Sequence, residues 1–484
     1  MSAAPPRKPR VAIVGAGMSG ICMGLKLQRA GLDDFTIFEK GGELGGTWRD
    51  NTYPGLYCDV PSRFYQLSFA MNPDWTHRFS PGSEIWAYFD RVATEHGLRD
   101  RIRFGTEVVS ARHEDGRWQL RTADGGEHDA DFLISATGVL HHPRYPEIDG
   151  LDTFAGSCFH SARWDHSVPL EGRRIGVIGT GSTGVQIVSA LADAASELTM
   201  FQRTAQWILP YPNRRYSRLT RRLHRRFPAL DRLAFRSTQR YFERFSRALT
   251  QPGWQRRVIS SICRAHLRTV RDPELRRKLT PTYQPMCKRL VVSAGFYRAV
   301  QRDHVDVVTE RIERVEPAGV RTADGVLHEL DVLVLATGFD AHAYVRPMEL
   351  IGPNGESLDD VWAEGPRSYR TVALPGFPNL FMLIGPQSPV GNYPLTFIAE
   401  TQADFAIGWM RRWMSGEVDR IAPRADAARV FEAERREALP GTVWVTGCDS
   451  WYLGPDGVPE IWPWEPERHR EMLAELREAE FELA

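Results

Sequence analysis

The chain has 484 residues, enough for two or three domains, and its 42% hydrophobic residues are enough for sizeable cores. Lys and Arg number 61, as do Asp and Glu, so the balanced charge does not indicate a nucleic-acid-binding protein. The six cysteines include no Cys-x-x-Cys pair, so the sequence indicates neither a metal site nor a disulfide framework. Met1–Arg10 has no apolar signal core and no apolar run is long enough to span a bilayer, so we expect a cytoplasmic protein.

The chain opens with a predicted strand, a glycine-rich turn and a helix. Val11–Val14 reads as a buried parallel strand, Ile21–Ala30 as the helix, and Phe35–Phe38 as a second strand that ends at Glu39. A βαβ unit with an acid about twenty positions after its glycines binds a dinucleotide, because the helix N-terminus attracts the pyrophosphate and the carboxylate accepts the ribose hydroxyls. A tight turn that binds nothing is the less favoured alternative. The predicted turn contacts are Gly15, Gly17, Ser19 and Gly20.

Further strand patterns follow, and one turn sequence occurs twice. Arg103–Ala111 and Arg117–Thr122 are predicted strands. The apolar strands Phe132–Ser135 and Val332–Leu335 each lead into the sequence Ala-Thr-Gly. A repeated turn of this kind is typical of flavoproteins, at the points where the chain crosses between two nucleotide-binding domains.

A second glycine-rich turn follows the predicted strand Arg174–Ile178 and precedes the predicted helix Val185–Ala195. The next strand, Leu198–Phe201, ends at Gln-Arg-Thr and has no acid there. A carboxylate at this point would repel a 2′-phosphate, whereas Arg203 can bind one with its guanidinium fork and Thr204 can add a hydroxyl. The sequence therefore predicts NADPH here; a solvated surface arginine is the alternative. The predicted turn contacts are Thr180, Gly181, Ser182, Thr183 and Gly184.

Between the second nucleotide unit and its return lies a basic, helix-patterned stretch, residues 211–285. Seven arginines crowd into residues 214–226, with apolar residues between them at helical spacing. Two readings stay open: a solvated helical lid, which we favour, and a surface that binds an anionic membrane or partner.

Three motifs resemble those of the type I Baeyer–Villiger monooxygenases. The stretch 154–165, of pattern Phe-x-Gly-x-x-x-His-x-x-x-Trp-Asp, is similar to the family fingerprint; taken alone, it could be a linker with packed aromatics. Gly45-Gly46-Thr47-Trp48, with Asp59 after it, resembles the flavin-lining block. Lys288-Arg289 resembles the block that carries the essential arginine.

The resemblance implies roles for residues that spacing alone does not assign. Arg289 would be the catalytic cation, Asp59 would hold it, and Lys288 would join Arg203 on the 2′-phosphate. Val108 would meet the adenine, and Trp451 the nicotinamide cofactor. The residues implied to touch the flavin or its surroundings are Gly46, Thr47, Trp48, Asp59, Tyr65 and Leu395.

These features predict an α/β fold with two Rossmann-like dinucleotide-binding domains, one for FAD and one for NADP, and a helical insert. The FAD domain would comprise residues 1–150 and, with a C-terminal tail, 338–484. The NADP domain would comprise 151–210 and 286–337, with 211–285 as the insert.

The function implied is that of an FAD-dependent, NADPH-consuming monooxygenase that forms a flavin C4a-peroxide from O2 and converts a ketone to an ester or lactone. A flavin-containing monooxygenase that oxygenates nitrogen or sulfur is the nearest alternative, which the Trp164-Asp165 ending disfavours. A disulfide reductase is disfavoured because no redox cysteine pair occurs near the flavin blocks. A non-catalytic flavin-binding module is disfavoured by the intact Asp59, Lys288 and Arg289.

Overall fold

The structure is a computed structural model that describes residues 7–484, so most of the N-terminal segment lies outside it. No helix in this described part is long and apolar enough to cross a membrane. Its strands are β1 (Val11–Val14), β2 (Phe35–Phe38), β3 (Ile102–Arg103), β4 (Val108–Glu114), β5 (Arg117–Thr122), β6 (Glu127–Ala130), β7 (Phe132–Ser135), β8 (Ser157–His160), β9 (Arg174–Ile178), β10 (Glu197–Phe201), β11 (Ile208–Leu209), β12 (Val291–Val292), β13 (Val305–Val308), β14 (Ile312–Glu316), β15 (Gly319–Thr322), β16 (Leu327–Glu329), β17 (Val332–Leu335), β18 (Glu349–Ile351), β19 (Leu380–Met382), β20 (Ile421–Pro423) and β21 (Phe481–Leu483).

The helices connect these strands, and four of them form an insert after the second glycine turn. They are α1 (Met18–Arg29), α2 (Thr47–Asp50), α3 (Gly82–Glu95), α4 (Ser182–Leu191), α5 (Arg218–Arg226), α6 (Pro228–Thr250), α7 (Trp254–Leu267), α8 (Pro273–Lys278), α9 (Phe296–Ala299), α10 (Leu358–Val361), α11 (Leu395–Met414), α12 (Ala425–Ala438) and α13 (Pro466–Ala474).

A parallel sheet of order β19-β7-β1-β2-β3 carries the first glycine turn. Its central strands are apolar and almost wholly buried, as expected of parallel strands covered on both faces. Val11 lies opposite Phe35 on one side and Phe132 on the other. This register places the carboxyl ends of β1 and β2 at the same edge, so the first turn and Glu39 meet there.

A second sheet, of order β13-β10-β9-β17-β8, repeats the arrangement around the second glycine turn. Strand β9 lies between β10 and β17, and all of its neighbours are parallel to it. The fingerprint stretch supplies the edge strand β8, which pairs with β17. The second turn and the end of β10 therefore meet at the carboxyl edge of this sheet, as their counterparts do in the first.

The chain crosses between the two sheets twice, after β7 and after β17. The two crossing segments touch each other: Pro143 pairs with Phe339, and the Arg144 N–H donates to the carbonyl of Gly338 at 2.9 Å. The four helices α5 to α8 lie between the short paired strands β11 and β12. The predicted fold class, two Rossmann-like parallel sheets with additional helices, is confirmed.

Some element boundaries differ from the sequence-based predictions. Helices α1 and α4 each begin three residues earlier than predicted, directly after a glycine of the turn. The predicted strand Arg103–Ala111 is wrong as one element, because it divides into β3 and β4. Gly105, at φ 61°, adopts a left-handed conformation in the gap, which interrupts the extended backbone.

The prediction of no disulfide is also wrong. Cys287 and Cys448 form a disulfide across 161 residues, with their Cα atoms 6.1 Å apart. Both lie in the apolar cluster beside the second sheet. Cysteine spacing in the sequence indicates only disulfides between residues close in the chain. This disulfide forms because the C-terminal segment packs against the segment that carries Arg289.

Candidate active site

The first glycine turn is shaped to hold an anion. Gly15 has φ 104°, and a Cβ there would lie 2.6 Å from the carbonyl oxygen of Ala136. Helix α1 begins after Gly17 with no side chain capping its first turn, so its N–H groups and dipole are available to a pyrophosphate. A Cβ on Gly17 would meet Gly46 Cα at 3.6 Å, so the backbones of two glycines bound the space in which the pyrophosphate fits.

Glu39 lies at the end of β2 with its carboxylate turned toward this turn. It is buried, and it accepts hydrogen bonds from the N–H groups of Ala16 and Gly41, both at 2.8 Å. Arg49 donates to it at 2.9 Å. Fixed by three donors, this carboxylate is oriented to accept further hydrogen bonds from a ribose diol.

The second turn repeats the geometry of the first. Gly179 has φ 119°, and a Cβ there would lie 2.2 Å from the carbonyl oxygen of Ala336. Helix α4 begins after Gly181 without a side-chain cap. Within the described residues, a Cβ on Gly181 would meet no heavy atom within 4 Å, so the turn has open space for a second pyrophosphate.

The strand end beside the second turn carries cations where the first carries an acid. Arg203 is exposed, and no Asp or Glu of residues 7–484 lies within 4.0 Å of its guanidinium or of the Lys288 ammonium. Burial lowers the pKa of Lys288, and the nearby charge of Arg203 lowers it further against an opposing effect of Asp449. Thr204 adjoins the turn, since its carbonyl accepts a hydrogen bond from Thr180 at 2.6 Å. Two close cations without a carboxylate partner fit a phosphate.

The residues of the predicted flavin block lie together on α2 and beside it. Trp48 Nε1 donates to the hydroxyl of Tyr65 at 3.2 Å, and the two rings pack edge to face at 5.6 Å. Burial raises the pKa of Tyr65 above its ordinary value, so the hydroxyl stays neutral at working pH. Thr47 begins α2 directly after Gly46. These side chains form a fixed wall next to the first glycine turn.

Asp59 and Arg289, 230 residues apart, form a bidentate ion pair. Arg289 Nε donates to Oδ2 of Asp59 at 2.8 Å, and Nη2 donates to Oδ1 at 2.7 Å. The charge of Asp59 raises the pKa of Arg289 beyond its already high ordinary value, so the guanidinium is charged at any working pH. Because 36% of the Arg289 side chain stays accessible, its remaining N–H groups can face a ligand.

Arg289 opens onto a cavity of about 710 Å³ between the two nucleotide units and helix α6. Asn392 also lines it, 1% exposed, and neither polar atom of its amide has a partner among the described residues. A buried amide in this state can exchange hydrogen bonds with water or with a bound molecule. Most of the wall is apolar, formed by Phe79, Leu209, Phe242, Phe245, Leu249, Met286, Leu290 and Trp444.

The remaining predicted residues do not line the cavity. Ser19 is buried in α1, Val108 begins β4, and Leu395 begins α11. Trp451 does not line the cavity: it is 41% exposed and packs against Tyr452, with the ring planes tilted and the centroids 4.4 Å apart.

The fingerprint stretch acts at the crossing between the sheets. Nδ1 of His160 accepts from the Ala162 N–H at 3.1 Å, so the neutral ring has its proton on Nε2, which donates to the carbonyl of Gly338 at 3.1 Å. Burial lowers the pKa of His160, which favours this neutral form. Trp164 packs edge to face on Phe159 at 4.9 Å. The aromatic side chains are therefore packed, as the alternative of a simple linker predicts. The hydrogen bond of His160 to Gly338 connects the edge strand β8 to the second crossing segment.

Several residues of the site were missed from sequence. Tyr452 is buried beside Arg289, and burial raises its pKa to about 12. It belongs to a Ser-Trp-Tyr run in which the resemblance assigns a role only to the tryptophan. Tyr53 donates to Gln186 on α4 at 3.0 Å and so joins the flavin block to the second turn. The disulfide between Cys287 and Cys448 places the segments of Arg289 and Tyr452 side by side.

Comparison with known proteins identifies the family. Residues 12–230 match the family described as pyridine nucleotide-disulphide oxidoreductase. A Baeyer–Villiger monooxygenase of Streptomyces coelicolor is 37% identical over 98% of this chain and 92% of its own length. The chain belongs to the Baeyer–Villiger monooxygenases. An uncharacterised monooxygenase of Mycobacterium tuberculosis is 60% identical to this member of the family over 99% of the chain and 96% of its own length.

Solved structures of the same shape contain nucleotides. Cyclohexanone monooxygenase from Rhodococcus sp. Phi1 bound to NADP+ gives a TM-score of 0.87 at 32% identity, covering 99% of both chains. The complex of OTEMO with FAD and NADP also gives 0.87, at 26% identity, covering 99% of this chain and 100% of the other. The predicted family is therefore confirmed, and so are the enzyme class and the cofactors, FAD and NADP, that are typical of this family.

Proposed function

We propose that this protein is an NADPH- and FAD-dependent monooxygenase that converts a ketone and O2 to an ester or lactone and water. The proposal rests on one observation: a permanently charged, bidentately held arginine opens onto an apolar cavity between two dinucleotide turns. It is supported by family membership over nearly the full chain. The cytoplasmic location stays a prediction.

The residues of the first unit fit FAD. The pyrophosphate would lie on the N-terminus of α1, and Glu39 would bind the adenosine ribose. Thr47, Trp48 and Tyr65 would border the flavin ring, and Asn392 would give its free amide to that ring or to the substrate. When bound, the flavin takes hydride from NADPH and, once reduced, activates dioxygen for transfer to the substrate.

The residues of the second unit fit NADPH. The pyrophosphate would lie on the N-terminus of α4. Arg203 and Lys288 would bind the 2′-phosphate that distinguishes NADPH from NADH, with the hydroxyl of Thr204 beside them. Tyr53 would hold the two turns at a fixed separation through its hydrogen bond to Gln186.

Arg289 would stabilise the negative charge that develops on the carbonyl oxygen of the ketone during oxygen transfer. An arginine suits this task, because it cannot lose its proton at working pH and its fork has donors left after two bind Asp59. Asp59 would orient the guanidinium and balance its charge. The apolar walls would exclude water, which strengthens the contact between cation and oxyanion.

Replacing Arg289 tests this role. Arg289→Ala should retain FAD and still be reduced by NADPH, but ester formation should fall by about 10²–10³ while hydrogen peroxide accumulates, because one oxyanion donor is lost. Arg289→Lys should restore little, since a point charge cannot reproduce the planar fork. Stopped-flow reduction and mass analysis of products separate the two steps.

The control and the rival function use the same assay. Arg121→Ala, which alters an exposed arginine of β5 outside the cavity lining, should leave ester yield unchanged. Ester from Arg289→Ala at the yield of the unaltered protein would show that the role is wrong. A panel of ketones and thioethers distinguishes ester formation from oxygenation at sulfur, the alternative activity.

A further inference from the structure

The cavity beside Arg289 is strongly asymmetric in charge. Its lining includes five arginines but only one carboxylate, Asp59. Two of these arginines have their charge balanced: Arg289 by Asp59, and Arg63 by the buried carboxylate of Asp231. The remaining three cationic side chains have no such partner within residues 7–484. They are Arg78, Arg214 and Arg215.

The Arg78 and Arg214 backbones are hydrogen-bonded to each other, and Arg215 follows Arg214 directly, so the three arginines form one group on the cavity lining. Arg78 is half-buried, while Arg214 and Arg215 are exposed, so the group lies where the cavity meets solvent. In the described part of the chain, no Asp or Glu comes within 4.0 Å of any of the three. Unpaired cations at the mouth of an apolar cavity create a positive potential that attracts an anion.

The arginine group is held in place by its own backbone. The Arg78 N–H donates to the carbonyl of Arg214 at 2.9 Å. The Asn213 amide bonds both the N–H and the carbonyl of Phe79, at 3.0 and 2.8 Å. The Arg78 guanidinium packs over the ring of Tyr211 at 4.2 Å and donates to its hydroxyl. A cation oriented in this way binds an anion with little further loss of conformational freedom.

We propose that the ketone oxygenated by this enzyme carries a terminal anionic group, a carboxylate or a chemically similar oxyanion, separated from the carbonyl by an apolar body. The proposal rests on the proposed function, because the carbonyl is assigned to Arg289. The apolar body contacts the aromatic wall formed by Phe242, Phe245 and Trp444. The anion is bound by Arg78, with Arg214 and Arg215 at the mouth, and the fork of Arg78 suits a carboxylate.

The test uses the complete FAD-loaded enzyme and matched pairs of compounds. The probes are ω-(4-oxocyclohexyl)alkanoates of increasing chain length, each compared with its methyl ester, which keeps the ketone and body but removes the charge. At the best chain length, kcat/KM for the acid should exceed that for the ester by about tenfold or more, as one charge-assisted contact gives. Added salt should lower kcat/KM for the acid and leave that for the ester unchanged.

Arg78→Gln keeps a polar side chain and removes the charge. It should lower kcat/KM for the acid about tenfold and leave kcat/KM for the methyl ester unchanged. The ratio of kcat/KM for the acid to that for the methyl ester should therefore fall to near one. The matched control is Arg222→Gln on α5, an exposed arginine outside the cavity lining, which should change neither substrate. Equal kcat/KM for acid and ester in the unaltered enzyme, or an equal loss for both in Arg78→Gln, would overturn the proposal.

Calorimetric binding of the same pairs keeps this result separate from failure of the proposed function. If no ketone yields an ester but the acid binds tenfold more tightly than its methyl ester and Arg78→Gln removes the difference, the anion site stands and the oxygenation assignment fails. If ketones yield esters while acid and methyl ester bind equally, the function stands and the anion site is wrong.

Discussion

The two glycine turns have the same backbone and opposite chemistry at the neighbouring strand end. Each has a left-handed glycine pressed against an alanine carbonyl and an uncapped helix behind it. Beside the first, the Glu39 carboxylate is buried and satisfied by three donors. Beside the second, Arg203 is exposed, and its charge acts on a second cation, Lys288.

The contrast distinguishes the part of the fold that binds any dinucleotide, the turn and helix, from the part that depends on which dinucleotide is bound, the strand end. The turn and helix bind a pyrophosphate, which both cofactors have, so this geometry repeats. The strand end meets the ribose, and there the cofactors differ by a phosphate. Glu39 is also part of the protein's own hydrogen-bond network, whereas the Arg203 side chain makes no hydrogen bond or ion pair within residues 7–484. Changes at the two positions should therefore differ in kind.

The largest effect is expected at the first strand end. Glu39→Ala leaves the N–H groups of Ala16 and Gly41 without their acceptor, and it removes one of the two carboxylates that bind Arg49. It should therefore cost about 3 kcal/mol of stability as well as FAD. Urea unfolding and the flavin absorbance of the purified protein measure both. Glu43→Ala, an exposed acid four residues away, should change neither. If Glu39→Ala retained FAD fully and unfolded in urea as the unaltered protein does, the expected difference between Glu39 and Arg203 would be wrong.

A smaller and purely ligand-dependent effect is expected at the second strand end. Arg203→Ala should raise KM for NADPH about tenfold or more through loss of a charge-assisted contact, with little change for NADH or in urea unfolding. Arg173→Ala, another exposed arginine of the same unit, is the matched control. Equal kinetics with NADH and NADPH in the unaltered enzyme would contradict the assignment of a 2′-phosphate site.

The smallest effect is a pH dependence confined to the second site. Because burial and Arg203 lower the pKa of Lys288, its charge is lost at lower pH than that of an exposed lysine. KM for NADPH should therefore rise about two- to fivefold as pH increases through this pKa, while KM for NADH stays level. In Arg203→Ala the pKa of Lys288 should rise, which moves the change to higher pH. The same pH profile for both cofactors would exclude Lys288 from the phosphate site.

The sequence by itself determined the local parts of this protein. The glycine turns, the helices that follow them and the charge at each strand end are set within about thirty residues, where strand periodicity and turn chemistry act directly. The NADPH prediction therefore needed only the Gln-Arg-Thr run after β10. The resemblance added Asp59 and Arg289 as separate residues, and the structure brings them into a bidentate contact.

The tertiary structure alone decided what depends on distant segments. Arg289 meets Asp59 across 230 residues, and Cys287 meets Cys448 across 161, because the chain crosses between the sheets twice. Whether Trp451 or Tyr452 faces Arg289 depends on the path of the C-terminal segment, and Tyr452 is the buried one. Arg214 and Arg215 read in sequence as part of a solvated basic run, and only the folded chain brings Arg78 beside them at the cavity mouth. Spacing along a chain reports the faces of a strand or helix, whereas burial and pairing depend on which other segments pack against it.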